Sequence, residues 1–418
     1  MTLNDSKFNR NWSIKKLNDL GEFKRGKSKH RPRNDESLFI DGKYPLIQTG
    51  EIKEANLYIR KHTDMYNDFG LKQSKLWREN TLCITIAANI AETALLGYPM
   101  CFPDSVVGFN AYPKESSELF MHYVFTYVKK TIQNSASGSI QDNINIEYLT
   151  GLTLRIPDKT YQDKIAAVLS ALDAKIELNQ RINAELESMA KTLYDYWLVQ
   201  FDFPNEKGKP YQSAGGKMVW NEALKREIPL GWDIQKLNSI FDFQKGIEPG
   251  SAEYKSEPIN SDYIKFFRVG DVDGNTEIYV DATNRDFTIV AERDVVVTFD
   301  ASVGKTAFGL NGAISGGFRK IYDRKGKFDN ALVYFIFKDE RILATIHKYA
   351  TGSILLHASG SIKHLLIVFD EDIVIQFQVF VKPLFDKMVL NRIESQTLTK
   401  LRDWLLPMLM NGQVGVMG

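Results

Sequence analysis

The sequence predicts an α+β fold: two related α/β domains separated by an antiparallel coiled coil of two long helices. Three observations support this prediction. The chain contains an internal repeat, each half begins with strand-like runs, and each half ends in a long segment of helical periodicity. Because the elements follow the same order in both halves, the expected architecture is a pseudo-dimer folded from one chain.

The repeat is carried by short segments that recur in the same order with slowly changing spacing. The offset is 220 residues near the start of each copy and contracts to 212–214 further on. This distance is far longer than the roughly 20–50 residues of a solenoid repeat. The matched segments are WSIKKLN at 12–18 with WDIQKLN at 232–238, FKRGK at 23–27 with FQKGI at 243–247, TIAANIAET from Thr85 with TFDASVGKT from Thr298, and SGSI from Ser137 with TGSI from Thr351.

Runs such as TLCITIAA and DVVVTFDA are rich in β-branched and aromatic residues and are bounded by turn formers, which predicts strands. At 418 residues, the chain is long enough for two or three domains that each bury a core. The expected segments are a first domain at 1–155, a central helix at 156–200, a connector at 201–231, a second domain at 232–369, a C-terminal helix at 370–412 and a tail at 413–418.

Each long helix is predicted from a heptad seam in which steps of four and three alternate. Each seam position of the second helix is the first-helix position plus 212. The first seam is Ile165, Leu169, Leu172, Ile176, Asn179, Asn183, Leu186, Ala190, Leu193 and Trp197; the second is Phe377, Val381, Leu384, Met388, Asn391, Ser395, Leu398, Arg402, Leu405 and Leu409. Ordinary core packing is the alternative for one such stripe, but two in the same register favour helices that pack on each other.

The helix ends and centres give further expectations. Asp158 and Asp370 are placed to cap the two N-termini, and Pro383 and Pro407 should kink or trim the second helix. Asn179 and Asn391 fall at the two helix centres, where their amides are expected to hydrogen-bond and fix the register, as a buried polar seam residue does. Two asparagines at the solvent edge of the seam are the alternative.

The composition excludes several classes of protein. Net charge is +1 and mean hydropathy is -0.27, and no apolar run reaches the roughly 18 residues of a membrane span. Cys83 and Cys101 form no CxxC pair, so neither a disulfide framework nor a zinc site is expected. A cytoplasmic protein without a metal site and without a membrane partner is therefore predicted.

One formal match to a nucleotide-binding motif is present at Gly21–Ser28, which reads GEFKRGKS. A phosphate-binding loop needs a buried strand before it and a helix after it. Here the preceding IKKLNDL is polar, and Pro32 follows the motif. The second copy has Phe241 and Ile247 at the positions of Gly21 and Lys27. Patterns of metalloproteases, α/β-hydrolases and amino-methyltransferases are absent, so no catalytic residue is predicted in this chain.

Binding chemistry remains. Six lysines and arginines lie between Lys24 and Arg33, with no acidic residue among them, and this composition suits contacts to phosphates and guanine edges. A solvated basic loop is the alternative. Gln141 and Asn143, in a polar loop before the first helix, are candidates for pairing with adenine, or else belong to a simple turn. The candidate contacts are Lys24, Arg25, Lys27, Lys29, His30, Arg31, Arg33, Gln141, Asn143, Lys245, Lys265, Arg268, Lys305 and Arg319.

Over essentially its whole length the chain resembles the specificity subunits of type I DNA restriction–modification systems. The resemblance rests on the W-x-I-x-K-L openings at Trp12 and Trp232, the SGS and TGS loops, and the helix IPDKTYQDKIAAVLSALDAKIELNQRINAEL. It also rests on the connector YDYWLVQFDFPNEKGKPY…GGKMVW and the closing LRDWLLPMLMNGQV. The resemblance implies two target-recognition domains, each reading one half of a bipartite sequence in double-stranded DNA.

The resemblance also implies that the subunit is not catalytic and holds no cofactor. Two methyltransferase subunits would bind it, and they would use S-adenosylmethionine to methylate adenine. Two restriction subunits that use ATP and Mg²⁺ can join that core. Two alternatives are a coiled-coil protein adaptor without DNA specificity and, against the repeat comparison, a P-loop nucleotide-binding enzyme.

Overall fold

The computed structural model describes residues 2–137, 144–352 and 356–416. It contains two units. The first consists of Met1–Leu178 together with Gln396–Gly418, and the second of Asn179–Ser395. Both long helices therefore contribute residues to each unit. In the described part of the chain, no helix is long and apolar enough to cross a membrane.

The first unit is built on a five-stranded sheet of order β2-β10-β7-β8-β4, a four-stranded sheet of order β5-β3-β9-β6, and the isolated pair β1-β11. Its strands are β1 Ser13–Lys16, β2 Gly21–Arg25, β3 Tyr44–Leu46, β4 Tyr58–Ile59, β5 Asp64–Tyr66, β6 Leu76–Trp77, β7 Leu82–Thr85, β8 Thr93–Leu96, β9 Met100–Cys101, β10 Val106–Ala111 and β11 Thr153–Ile156. Its helices are α1 Thr49–Glu54, α2 Asp68–Gln73, α3 Glu118–Ser137, α4 Ile146–Gly151 and the start of α5 Lys159–Tyr194.

The core of the first unit explains why its central strands lack polar alternation. All four residues of β7 are buried, as are all four of β8, because both faces of the five-stranded sheet are covered. On one face, Ile84 and Phe109 belong to the same buried cluster as Val124 of α3. On the other face, Cys83 packs in a smaller cluster with Trp77.

The second unit contains sheets of order β15-β22-β19-β20 and β17-β16-β21-β18, the pair β14-β23 and the hairpin β12-β13. Its strands are β12 Met218–Asn221, β13 Arg226–Pro229, β14 Asp233–Lys236, β15 Asp242–Lys245, β16 Tyr263–Phe267, β17 Tyr279–Asp281, β18 Ile289–Val290, β19 Val295–Thr298, β20 Thr306–Ala307, β21 Gly312–Ile314, β22 Phe318–Tyr322 and β23 Leu366–Phe369. Its helices are α6 Leu237–Ile240, α7 Asn330–Ile336, α8 Glu340–Lys348 and most of α9 Glu371–Met410.

The repeat predicted from the sequence is present in the strand registers. In the first unit, Ser13 of β1 pairs with Ile156 of β11. In the second unit, Asp233 of β14 pairs with Phe369 of β23. The two pairings differ by 220 and 213 residues, which are the offsets of the matched sequence segments. Each copy thus closes its opening strand against the strand that leads directly into its long helix.

The long helices begin where their capping residues predict. The Asp158 carboxylate accepts the Tyr161 amide at 2.9 Å, and the Asp370 carboxylate accepts the Ile373 amide at 3.0 Å. Helix α5 ends at Tyr194 and is followed by a π-helical turn at Asp195–Val199. Every predicted seam position is buried or half-buried in both helices.

The second helix is not trimmed at its prolines, which corrects one expectation from the sequence. Helix α9 runs from Glu371 to Met410 and includes Pro383 and Pro407. Each proline leaves the carbonyl four residues earlier, on Val379 or Asp403, without its helical partner. All four of these residues are exposed, so water can satisfy those carbonyls and the helix continues.

Candidate nucleic-acid interface

The basic segment of the first unit, residues 24–33, begins on the edge strand of the five-stranded sheet. Among the residues that the structure describes, β2 pairs only with β10 and is the edge strand of its sheet; the side chains of Lys24 and Arg25 are exposed there. Lys24 forms an ion pair with Glu22 at 2.5 Å, between two exposed side chains. A pair of this kind adds little stability, and its lysine remains accessible to another anion.

Gly26 ends β2 at a point where two backbones approach closely. Its amide donates to the Val106 carbonyl at 2.8 Å, and a Cβ added at Gly26 would collide with the carbonyl oxygen of Pro103. Gly246 occupies the same place in the second unit, where its amide donates to the Phe318 carbonyl at 3.2 Å and a Cβ would collide with the Ser315 carbonyl. The glycine is needed for strand packing in both copies.

This geometry argues against the P-loop alternative. Residues Gly21–Arg25 form a paired strand rather than a loop. Between Ser28 and Thr49 the structure has only the three-residue 3-10 helix Glu36–Leu38 and the strand β3, so no α-helix follows the motif directly. The sequence GKT at 304–306 fails the pattern, because Phe299 stands at the position of the first glycine, and it runs from the turn after β19 into β20. Neither glycine-rich segment presents the helix N-terminus that cradles a phosphate.

Two uncharged side chains, Gln73 and Ser74, hydrogen-bond to the backbone of the basic segment after Gly26. The Gln73 Oε1 atom accepts the amides of Lys29 and His30 at 2.7 and 3.2 Å. The Ser74 hydroxyl donates to the Lys27 carbonyl at 2.9 Å. Because these partners contact the backbone, the lysine side chains stay exposed while the segment that carries them is fixed.

The two arginines of the segment meet one carboxylate. Arg33 contacts Asp104 at 2.7 Å, and Arg31 lies 3.9 Å from the same side chain. Arg31 also donates to the carbonyls of Ser28 and His30 at 2.6 and 2.8 Å. Both guanidinium groups are about half exposed, so they point to a surface on which an anion can reach them.

His30 differs from the exposed lysines and arginines of the segment because it is half-buried. Its ring lies 2.7 Å from the Asp35 carboxylate and meets Phe69 edge-on. Hydrogen bonds from the Ser37 side chain and from His30 lower the pKa of Asp35 to about 2. His30 therefore anchors the end of the basic segment, in addition to any contact it makes with a ligand.

The candidate cations of the second unit have different environments. Lys245, at the end of β15, and Lys305, after the β19 loop, are exposed. Arg268 is exposed and lies 3.5 Å from Asp271, whereas Lys265 is half-buried within β16. These four residues are accessible to differing degrees and do not form one run along the chain.

Arg319, the last candidate, is buried at 5% exposure. Its guanidinium donates to the carbonyls of Gly316 and Phe318 and to the Ser359 hydroxyl, at 2.9, 2.8 and 2.6 Å. Burial lowers the pKa of its guanidinium. In this structure the Arg319 side chain holds a loop to β22, so we do not include it among the proposed DNA contacts.

A loop with matching geometry follows the buried central strand in each unit. In the first unit, Thr85 Oγ1 donates to the Asn89 carbonyl and accepts the Glu92 amide at 3.0 Å. In the second unit, Thr298 Oγ1 donates to the Ser302 carbonyl and accepts the Lys305 amide at 2.9 Å. The two threonines are equivalent at the offset of 213.

The same loops contain equivalent alanines in the left-handed region. Ala88 has φ 54° and Ala301 has φ 60°. A non-glycine residue adopts this conformation at an energetic cost, and such strain is concentrated at functional sites. The strained alanines are exposed in both units, which makes these loops a second candidate surface for recognition.

The comparisons with known proteins agree with this geometry. Residues 9–188 match the family model described as "Type I restriction modification DNA specificity domain". The match covers 180 of the 418 residues, which is less than half of the chain.

Relatives extend the similarity beyond the specificity domain. The chain is 24% identical over 428 residues to the type I restriction enzyme MjaIX specificity subunit of Methanocaldococcus jannaschii, with 98% of this chain and 95% of the relative covered. It is 24% identical over 344 residues to the HindI specificity subunit of Haemophilus influenzae, with 68% and 74% covered. A crystal structure of the type I S subunit from M. genitalium matches over 100% of both chains at a TM-score of 0.55 and 18% identity, which shows the fold.

The first unit contains one cation near the basic segment that the sequence did not single out. Lys75 lies over the Trp77 ring at 3.7 Å, and burial together with the nearby charges of Lys24 and Lys27 lowers the pKa of its ammonium group. Lys75 is separated from the basic segment by more than forty residues, so only the tertiary fold brings it there. Gln141 and Asn143 lie outside the described residues.

The helix-centre asparagines lie side by side in the second unit, with partners that differ from the expected ones. Asn179 and Asn391 are each 1% exposed. Asn179 Nδ2 donates to the Asn391 carbonyl at 3.4 Å and to Glu394 at 2.7 Å, while Asn391 Nδ2 donates to Asn183 Oδ1 at 2.9 Å. The two expected amides thus do not bond each other, and Asn183 completes the network.

The direction of the helices follows from these contacts. Asn179 lies opposite Asn391, and Asn183 donates to the Met388 carbonyl at 2.9 Å. A residue later in α5 therefore lies opposite a residue earlier in α9, so the helix segments within the second unit are antiparallel. Whether the asparagines set this register remains a prediction.

Proposed function

We propose that this chain is the DNA-recognition subunit of a type I restriction–modification system, and that each unit reads one half of a bipartite target. Two observations support this proposal best. Residues 9–188 match the specificity-domain family model, and the chain contains an internal repeat. The two copies share backbone hydrogen bonds at Gly26 and Gly246 and at Thr85 and Thr298. They differ in surface charge, as expected of two readers with different targets.

In the first unit, the basic segment and Lys75 are the proposed DNA contacts. The lysines suit phosphates, which position a protein on DNA, and Arg31 and Arg33 suit phosphates or the guanine edge. In the second unit, Lys245, Lys265, Arg268 and Lys305 take this role. There Glu248 accepts a hydrogen bond from the Tyr254 hydroxyl at 2.8 Å and Glu253 pairs with Arg285, so the equivalent surface is of mixed charge.

The catalytic steps are assigned to other subunits. We propose that the chain assembles in the cytoplasm with two methyltransferase subunits, which bind S-adenosylmethionine, and with restriction subunits that use ATP and Mg²⁺. The chain itself contributes target recognition and no reacting group. The names of the relatives, which are specificity subunits of type I restriction enzymes, support this division.

The test is the methylated sequence motif produced by variants of the basic segment. Replacing Arg31 and Arg33 together by Ala should relax one half of the motif and leave the other half unchanged, because the second unit is untouched. Sequencing of methylated genomic DNA from cells that express the chain with its methyltransferase measures this. The matched control is Lys43→Ala, which removes an exposed, paired lysine outside the segment.

Two outcomes would contradict the proposal. Simultaneous loss of discrimination in both halves would show that the units are not separate readers. A DNA affinity of the assembled complex that does not depend on salt would favour the adaptor alternative, because phosphate contacts release counterions and make affinity fall as salt rises.

A further inference from the structure

The first unit contains an open cleft of about 640 Å³ where β1 meets the start of α5. Its walls include three aromatic rings, three lysines and the two carboxylates of Glu115 and Asp158, together with smaller polar and apolar residues. The aromatic residues are Phe8, Trp12 and Tyr161, and the lysines are Lys15, Lys114 and Lys159. The cleft lies wholly within the first unit and is separate from the basic segment described above.

The aromatic floor of the cleft is held in place. The rings of Trp12 and Tyr161 lie 6.0 Å apart at 60° to each other. The Tyr161 hydroxyl accepts a hydrogen bond from the Val416 amide at 3.1 Å, which fixes the second ring. Trp12 is half-buried, so part of its ring remains free to contact a further group.

The equivalent tryptophan of the second unit is covered. Trp232 is 9% exposed, because Phe203 stacks on it at 5.0 Å and Phe201 meets it edge-on at 5.5 Å. Both phenylalanines follow α5. The tryptophan that opens each repeat is therefore covered in the second unit and only half-buried in the first.

The chain after the other long helix explains the difference. Phe201 follows α5 with φ 61°, and Gly412 follows α9 with φ 69°, so the two residues end their helices in the same left-handed conformation. Gly412 lines the cleft and has no side chain. The described residues 413–416 that follow it contain no aromatic side chain, and there Val414 and Val416 pack in the same cluster as Trp12 and Tyr161.

The two carboxylates of the cleft are already engaged: Glu115 pairs with a lysine, and Asp158 accepts the Tyr161 amide at the start of α5. A lysine without an ion pair in the described part of the chain is the feature that favours an acidic group on the occupant. Lys15 pairs with Glu115, and Lys159 pairs with Asp163 at 2.5 Å. Lys114 is exposed and has no ion pair among the residues that the structure describes. In the second unit, the segment that covers Trp232 places Asp202 directly before Phe203, and the Asp202 carboxylate there accepts hydrogen bonds from the Ser213 amide and hydroxyl.

We propose that the cleft is the docking site for an acidic–aromatic peptide segment of a partner polypeptide. An aromatic ring of that segment stacks on Trp12, and a neighbouring carboxylate meets the Lys114 ammonium group. The same segment of a second copy is the less favourable occupant, because Phe203 already lies between Tyr211 at 4.7 Å and Trp232 at 5.0 Å. That the partner is a methyltransferase subunit rests on the proposed function.

The first experiment uses a peptide that reproduces the covering segment, QFDFPNEKGKPYQ, and the full chain labelled with 5-fluorotryptophan. The chain has six tryptophans, whose ¹⁹F resonances are assigned with Trp→Phe variants. We expect the peptide to shift the Trp12 resonance saturably and to leave the Trp232 resonance unchanged. The same peptide with both phenylalanines replaced by alanine should cause no shift.

A charge variant gives the second measurement without disturbing the aromatic floor. Lys114→Glu should weaken peptide binding about tenfold, because it replaces attraction with repulsion at an exposed site. The control Lys43→Glu, at another exposed lysine, should not change it. An unchanged Trp12 resonance at saturating peptide, or equal affinity for the wild-type chain and Lys114→Glu, overturns the proposal.

Assembly with the co-expressed methyltransferase subunit distinguishes the possible occupants. Weaker assembly in Lys114→Glu and Trp12→Ala, with Trp220→Ala unaffected, supports the methyltransferase as partner, and unchanged assembly overturns it. Self-association of the chain that depends on Trp12 identifies a second copy instead and overturns the proposal. Failure of the wild-type chain to assemble contradicts the proposed function alone, because the peptide titration needs no partner.

Discussion

Three asparagine side chains interrupt the apolar seam of the long helices within the second unit. Asn391 donates to Asn183, and Asn183 donates to the Met388 carbonyl. Asn179 donates to the Glu394 carboxylate and to the Asn391 carbonyl, so the buried amides are compensated. A compensated polar network adds little net stability, whereas leaving one buried member without its partner costs about 1–3 kcal/mol. The network can therefore specify one alignment of the helices, because other alignments would leave amides unsatisfied.

The first prediction follows from this asymmetry. Asn391→Leu should lower the free energy of unfolding by about 1–3 kcal/mol, because Asn183 loses its donor. The triple variant with Leu at 179, 183 and 391 should recover most of that loss or exceed the wild-type stability, since no amide is stranded. Melting temperatures of the three proteins measure the effect. A triple variant less stable than Asn391→Leu would contradict it.

The second prediction concerns His122, a buried residue of α3 whose ring lies 3.1 Å from the Thr93 hydroxyl. Burial is the main cause that lowers its pKa to about 4. Between pH 6.5 and about 4, the unfolded chain therefore binds a proton that the folded chain excludes. The neutral His122 ring makes its full contribution to the stability of the folded chain above pH 6.5, and this contribution is lost as the pH falls towards 4.

The corresponding experiment compares the wild-type chain with His122→Gln. The wild-type melting temperature should fall more steeply than that of the variant between pH 6.5 and 4.5, and the two slopes should agree above pH 7. Parallel profiles over the whole range would show that His122 does not titrate in this way. The difference between the two proteins isolates this residue from the other carboxyl and histidine groups.

Single-residue roles were the least predictable part of the site. Charge and spacing located the basic segment, but they could not reveal Lys75, which joins it only through the tertiary fold. Arg319 has the composition of a surface strand residue, yet Ser359 and nearby carbonyls enclose it. Both cases depend on loops that meet across long sequence separations, which one sequence without a fold does not encode locally.

At the scale of elements, the repeated turn after β2 and β15 shows how framework and recognition are separated. Gly26 and Gly246 keep the same close backbone approach, while the residues that follow them change from basic to acidic. The structural requirement and the variable surface are thus adjacent in sequence. This arrangement allows one fold to present different side chains.

The third prediction tests the structural role of these glycines. Gly26→Ala and Gly246→Ala should each lower the melting temperature by several degrees, because the added Cβ collides with a carbonyl and overpacking costs about 1–3 kcal/mol. The controls are Gly50→Ala and Gly270→Ala, where nothing lies within 4 Å of the added atom. If Gly26→Ala kept its stability but lost ATP binding, the P-loop alternative would be supported.

The long helices were the most predictable elements, because a seam of ten positions and a capping aspartate are local signals. Their starts at Lys159 and Glu371 follow the capping residues directly. The expectation that Pro383 and Pro407 would trim the second helix was wrong, because α9 continues past both. The carbonyls that they leave without a helical partner are on exposed residues, where water can bind them. Hydration of those carbonyls depends on exposure, which the sequence pattern alone did not indicate.

At the scale of the whole molecule, the proposed function makes duplication the reason why one chain can read a target in two parts. Each copy closes on its own opening strand and carries its own candidate recognition surface. Under the proposed function, the paired helices set the distance between the half-sites on DNA. The length of the unread gap should therefore respond to helix length and not to the residues that contact bases.

The last prediction tests this ruler with matched insertions, after Leu186 in α5 and after Leu384 in α9. Seven residues in each helix preserve the heptad seam and add about 10 Å, at 1.5 Å per residue. At about 3.4 Å per base pair, this corresponds to roughly three base pairs. We expect both half-sites of the methylated motif to stay the same while the gap between them grows.

Three additional base pairs also rotate the second half-site by about 100° around the DNA axis. The DNA or the protein must twist to compensate, and that twist costs deformation energy. Activity of the seven-residue variant should therefore fall. A four-residue insertion, which adds about 6 Å or roughly two base pairs, requires less twist but shifts the seam. Sequencing the methylated motif of each variant measures the gap directly. An active variant that still methylates sites with the original gap would show that the helices do not set the spacing.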